Sequence, residues 1–170
     1  MCSSKVNYLK TIPESEKPIY KIYTDGSFKD NIIGYGAVII NLRTNKTVKI
    51  SGALVLKKDS ERKNGAKIAE ITAGITALKI IDENADIYMF TDSLALYSML
   101  SFNGKKLKSN STCRKLNKIL IHFLKQHNVT PYRIKRYGIK ENRICDYLAR
   151  NARENLRNTQ EFDSLLLSIV

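Results

Sequence analysis

An α/β fold, with helices packed on a mixed sheet, is what the pattern of this chain predicts. Three observations carry it. Three short apolar runs fall between residues 19 and 56, and the linkers between them are short enough for hairpins, so those strands are expected to be antiparallel. Strand–helix–strand units then follow, which add strands by crossover connections. Finally, 170 residues with 43% hydrophobic content are one domain's worth and enough for a single core.

The elements follow in order. Residues 1–18 are polar, carry Pro13 and Pro18, and are expected to be a flexible leader. In the first strand Tyr20, Ile22 and Thr24 alternate with Lys21, Tyr23 and Asp25, and Gly26-Ser27 is expected to stop it. Asp25 would then sit at a strand end, where open α/β sheets place their chemistry. Ile32–Ile40 is the second strand, and Gly34 and Gly36 within it signal a bulge or a close backbone approach. Thr47–Leu56 is the third, and residues 57–67 read as a charged loop. Ile68, Ile71, Ile75, Leu78 and Ile81 form one helical stripe over Ala66–Ile81, with Glu70 near its edge. Residues 86–91 form the fourth strand, and Asp92-Ser93 can cap a short helix through Phe102. After the loop Asn103–Asn110, Leu116, Ile119, Leu120, Phe123 and Leu124 mark a longer helix. Pro131–Lys135 is the expected fifth strand and Asn142 to about Asn155 the last helix, which Asp146 opens. One folded unit over residues 19–156 and a C-terminal tail over 157–170 result, with no internal repeat.

Charge narrows the partner. The net charge is +13 with a pI near 9.7, which favours a polyanion. Between Asp92 and Glu141 there is no acid, yet eleven Lys and Arg residues fall in that interval, among them Lys105, Lys106, Lys108, Arg114, Arg133, Lys135, Arg136 and Lys140. Solvated faces usually mix signs, so a single-signed stretch points to phosphate contacts. No aromatic is interleaved with it in a stacking pattern, which disfavours a single-strand binder. Three cysteines without metal-site spacing (Cys2, Cys113, Cys145) point to reduced thiols in an intracellular, cytoplasmic protein. No apolar run reaches membrane-spanning length and no signal-peptide pattern opens the chain, so no membrane association is expected.

Four acids stand out within this basic chain: Asp25, Glu70, Asp92 and Asp146. Singly, each has a bland reading as a cap, turn or first-turn residue. Glu70, flanked by Ala66, Ala69, Ile71 and Ala73, needs a partner if it is buried. Together they suggest a site for a divalent cation, since Mg²⁺ takes oxygen ligands and binds through a few carboxylates plus substrate phosphate. Two such ions about 4 Å apart activate a water and stabilise the leaving oxygen in phosphodiester cleavage.

Thr24-Asp25-Gly26-Ser27, Gly34-Tyr35-Gly36-Ala37, Ala69-Glu70, Thr91-Asp92-Ser93 and Cys145–Arg150 occur in an ordered set that resembles type 1 ribonuclease H, including retroelement ribonuclease H domains. The likeness runs from about residue 19 to 155. It implies a five-stranded mixed sheet, three strands antiparallel and then two parallel, with helices on both faces. It also implies an endonuclease that hydrolyses the RNA strand of RNA–DNA hybrids with two Mg²⁺ or Mn²⁺, expected to act as a monomer. In that pattern Asp25 bridges both ions, Glu70 and Asp92 complete the leaving-group ion, and Asp146 holds the ion that activates water. Gly26 and Ser27 would lie near the RNA strand, and Asn64, Lys67 and Arg114, with Lys105, Lys106 and Lys108, would contact nucleic acid. The alternatives are a metal-dependent DNA or junction nuclease on the same fold, or a weakly catalytic module that binds hybrids or duplex RNA.

The chain departs from the family pattern in places. Where many relatives have a histidine ten positions before the last aspartate, this chain has Arg136. Arginine stays protonated, so its expected role is a bidentate donor to phosphate. His122 and His127 are expected to be surface or packing residues. Residues 103–110 are too short for the extra helix of relatives with a full basic protrusion. Leu94 stands where many relatives are polar.

Overall fold

The computed structural model describes residues 17–102, 111–136 and 138–169. Five strands form one sheet: β1 (Ile19–Lys29), β2 (Ile32–Asn41), β3 (Thr47–Val55), β4 (Asp86–Thr91) and β5 (Asn128–Arg133). Their order is β3-β2-β1-β4-β5. The β1–β2 and β2–β3 pairs are antiparallel, and the β1–β4 and β4–β5 pairs are parallel. The helices are α1 (Asp59–Arg62), α2 (Gly65–Lys79), α3 (Leu94–Ser101), α4 (Ser111–Gln126) and α5 (Lys140–Ile169). None of the described helices is long and apolar enough to cross a membrane.

Alternation along the strands gives the sheet two apolar faces. On one, Ile22, Ile39, Ile87 and Met89 pack with Ile71 and Leu78 of α2, Leu96 and Met99 of α3, and Leu120 of α4. On the other, Tyr23, Val38 and Phe90 pack with Cys145 of α5. The rings of Tyr23 and Phe90 stack at 4.8 Å and those of Phe90 and Tyr132 at 5.0 Å, tying β1, β4 and β5 together on the α5 side. Gly34 and Gly36 are a close backbone approach rather than a bulge. A Cβ on Gly36 would lie 2.5 Å from the Cys145 carbonyl oxygen, and one on Gly34 would strike the Ala149 carbonyl, so their bareness seats α5 on β2. Cys113 and Cys145 are buried thiols outside any disulfide, and burial pushes the Cys145 thiol up to about 12.

Several boundaries differ from the sequence reading. Gly26-Ser27 does not stop β1, which runs on to Lys29 because β2 keeps pairing with it through Lys29↔Ile32. The turn falls instead at Asp30-Asn31, both at positive φ (51° and 64°), as a two-residue hairpin requires. Asp25 is therefore inside β1, at the point where the parallel partner β4 gives out. The charged loop contains α1, whose Arg62 pairs with Asp59 at 2.9 Å. β5 begins at Asn128 rather than Pro131, a proline that this edge strand tolerates. The last helix starts at Lys140 and continues past Asn155 to Ile169. The loop 103–110, with Lys105, Lys106 and Lys108, lies outside the described residues.

Candidate active site

Register places the first two acids. Tyr23 of β1 is level with Phe90 of β4, and two residues further along stand Asp25, within β1, and Asp92, just past the end of β4. Beyond Thr91, the side chain of Ser93 accepts from the Leu96 N–H and starts α3, so the backbone turns away just after Asp92. Asp25 keeps one bond of its own, from the Gly26 N–H to Oδ1 at 2.8 Å.

Glu70 reaches the pair because α2 crosses β1 at a glycine. A Cβ on Gly26 would lie 2.5 Å from the Glu70 backbone nitrogen and 2.9 Å from the Ala69 Cβ, so any other residue would hold α2 off the sheet. Asp25, Glu70 and Asp92 each offer a carboxylate oxygen, and these all lie within 4.8 Å of one another. The Glu70 Oε2 is buried with no hydrogen-bond partner. Burial, reinforced by the charges of Asp92 and Asp146, raises the Asp25 carboxyl to about 7. Burial and the charges of Asp25 and Asp92 raise Glu70 to about 9. Mutual repulsion and a buried oxygen with no hydrogen-bond partner suit a donor set for a hard cation. The residues present fit such an ion.

Asp146 lies near enough to raise the pKa of Asp25, but it stands outside the three-carboxylate cluster. Its Oδ1 accepts from the Arg150 Nε at 2.9 Å, one turn further along α5. Asp25, Glu70, Asp92 and Ser93 line a 750 Å³ cleft whose other wall is Arg133, Ile134, Lys135 and Arg136. The Ile134 N–H donates to the Thr91 carbonyl at 3.0 Å, which carries this basic segment across the end of β4. The positive charge of Arg136 partly offsets the upward pull on Asp25.

The other expected contacts are more scattered. Ser27 is held from behind, its hydroxyl accepting from the guanidinium of Arg153 on α5. Asn64 donates through Nδ2 to the Ser60 carbonyl just before α2. Lys67 is half-buried on the first turn of α2, near Cys113 of α4, and Arg114 is exposed on α4. Leu94 is exposed at the start of α3. The histidines do not reach the cleft: His122 contacts Gln126 on α4, and His127 is buried at the opposite end of β5 beside Glu83 and Phe123. Arg133 and Lys135, which the sequence marked only as part of the acid-free interval, were given no place in the expected site. Arg153 gave no signal except its place seven residues, two turns, after Asp146 on one helix.

Comparison with known proteins bears on this geometry. The family model for RNase H matches residues 17–154. Among solved structures, the N-terminal RNase H domain of a Mycobacterium tuberculosis protein, determined as a fusion with maltose-binding protein, superposes with a TM-score of 0.68 at 19% identity, over 84% of this chain and 99% of that one. RNase H1 of the halophilic archaeon Halobacterium salinarum gives 0.63 at 19% identity, over 81% and 98%. The RNase H1 called LC11, solved in complex with an RNA/DNA hybrid, gives 0.63 at 20% identity, over 81% and 98%. The search of curated proteins finds no match.

Proposed function

The chain belongs to the RNase H family, and from that premise we propose that it is an endonuclease hydrolysing the RNA strand of RNA–DNA hybrids with two Mg²⁺ or Mn²⁺ ions. The observation that carries the reading is the cluster of Asp25, Glu70 and Asp92 with the orphaned Glu70 Oε2, set in a cleft whose facing wall is basic. The hybrid as substrate is supported by family membership and by the likeness to LC11, which was solved with such a hybrid. The catalytic unit is taken as residues 19–156; the family match spans residues 17–154.

Asp25, Glu70, Asp92 and Asp146 would hold the ions, Asp146 by exchanging its bond to Arg150 for a metal. Bound there, such ions acidify a water and neutralise charge on the leaving oxygen. The protein's own groups do the rest. Asp25 has one oxygen held in orientation by the Gly26 N–H. Arg136 donates its planar fork to a phosphate oxygen of the RNA strand, and Arg133 and Lys135 hold neighbouring phosphates on the same wall. Ser27, whose oxygen is engaged by Arg153, has its own O–H left to donate to the strand. The Lys105, Lys106 and Lys108 loop and Arg114 add sequence-independent affinity for the backbone.

The test is incubation with labelled RNA–DNA hybrid, double-stranded RNA and DNA junctions, with Mg²⁺, with Mn²⁺ and with chelator. Cleavage of the RNA strand of the hybrid, abolished by chelator, is the expected result. Preferential cleavage of junctions, or tight binding without turnover, would overturn it.

A further inference from the structure

A second basic surface lies where α5 meets β3, lined by residues distinct from those of the cleft. Lys140, Arg143 and Tyr147 are spaced by three and four residues and so share one helical face. Lys49 joins them from β3: it pairs with Val38, whose side chain packs on Cys145 of α5, so Lys49 also projects to the α5 side of the sheet. Between this helix face and strand β3 runs a 630 Å³ groove lined by Lys49, Lys140, Arg143, Ile144, Tyr147 and Leu148. Three of its six lining residues are cations and none is a carboxylate. None of the three cations takes part in an ion pair among the described residues. Tyr147 is 67% exposed at the groove and immediately follows Asp146 in the chain.

An exposed aromatic ring among unpaired cations matches a flexible polyanion that carries flat apolar groups. Each nucleotide of a single strand offers both, a phosphate for the cations and a base face for the ring. Duplex leaves no base face free for Tyr147, and inorganic phosphate has none. The elements also explain why no stacking pattern was visible in the sequence: Lys49 and Tyr147 are 98 positions apart and meet only through the packing of α5 on β2 and β3.

We infer that this groove binds single-stranded nucleic acid extending from the catalytic cleft, with a base stacked on Tyr147 and adjacent phosphates held by Lys49, Lys140 and Arg143. The inference rests on the hybrid-nuclease reading for its choice of nucleic acid as the occupant. It predicts that a hybrid with a single-stranded tail is held more tightly than the same hybrid with blunt ends.

The experiment measures binding by fluorescence anisotropy in chelator, so that nothing is cleaved. The probes are a blunt hybrid and the same hybrid with a single-stranded DNA extension on either end. The tailed hybrid should bind about tenfold tighter to the parent protein, at the lower end of what one base–aromatic stack supplies. Tyr147→Ala and Lys140→Ala/Arg143→Ala should remove that advantage, whereas Tyr147→Phe, which keeps the ring, should retain it. Equal weakening of blunt and tailed hybrids by Tyr147→Ala would reduce the residue to a structural role and overturn the inference. Displacement of the tail by polyglutamate in preference to an oligodeoxythymidylate of equal charge would assign the groove to an acidic polypeptide, and would also overturn it. Because metal is absent, failure to cleave hybrids leaves this measurement readable. Loss of the tail advantage, conversely, says nothing against cleavage.

Discussion

Removing one charge from the carboxylate cluster is expected to stabilise the protein when no cation is present. Asp25 is only 5% exposed, and burial together with Asp92 and Asp146 lifts its carboxyl from 3.8 to about 7. The folded state therefore binds that proton more tightly than the unfolded chain. Stability from this group is fully present below about pH 4 and is lost as pH rises through about 7. At 1.36 kcal/mol per pH unit, ionised Asp25 costs the fold about 4 kcal/mol at pH 8. Asp25→Asn removes the charge but leaves a buried amide, which gives back about 1–3 kcal/mol where it finds no partner. The net gain is then about 1–3 kcal/mol, or roughly 2–10 °C in Tm for a domain of this size. Thermal unfolding followed by circular dichroism in chelator, at pH 8 and pH 5, reads it. At pH 5 the parent's carboxyl is already protonated and the gain should shrink towards zero. Millimolar Mg²⁺ should reverse the order, since a ligand that binds only the folded parent raises its Tm by mass action. No gain at pH 8, or an equal gain at both pH values, would refute the account of the cluster as crowded and under-compensated charge.

Arg136→Ala should lower kcat on hybrid by about ten- to a hundredfold at saturating substrate, with Arg136→Lys recovering part because the planar fork is lost. Turnover close to the parent's would return Arg136 to a solvated basic strip. Gly26→Ala forces a Cβ to within 2.5 Å of the Glu70 nitrogen. It should cost about 1–3 kcal/mol of stability, as overpacking does, and abolish most cleavage by moving Glu70; unchanged kcat would show that α2 yields without displacing its carboxylate. Alanine at Lys105, Lys106 and Lys108 together should weaken hybrid binding and flatten the plot of log K against log salt by about 0.9 per lost phosphate contact. An unaltered slope would make them a solvated loop.

How much of this was legible follows from which signals are local. Strand alternation around Ile22 and Ile87, and the stripe Ile68–Leu78, are written within single elements, and the sheet and α2 follow from them. The RNase H-like architecture with helices on both faces is borne out in full. Boundaries failed where a residue type served a second purpose. Gly26 looked like a strand stop, but it is bare so that α2 can pass. Pro131 looked like a strand start, but it sits within an edge strand, where its missing N–H costs little. α1 is four residues long, too short for any periodicity to register. The polar run Arg150–Thr159 hid the continuation of α5, whose outer turns there need no apolar stripe. Arg153 lay beyond reach altogether, since its hydrogen bond to Ser27 spans 126 positions.

The four candidate metal ligands come from four different elements, β1, α2, the end of β4, and α5, so the precision of the cleft depends on how those elements are clamped together. Each clamp lies outside the carboxylates themselves. Gly26 sets α2 against β1, the Tyr23–Phe90 stack sets β4 against β1, and Gly34 with Gly36 sets α5 against β2. The clamps do not hold equally. Asp25, Glu70 and Asp92 are fixed by contacts of backbone with backbone or ring with ring, and their oxygens already converge. Asp146 rides on a helix whose seat is just as tight, yet its side chain accepts from Arg150 and stands outside the three converging carboxylates. The fourth position is thus the adjustable one. Were a cation to take Asp146 as proposed, Arg150 would give up a half-exposed ion pair worth under about 1 kcal/mol.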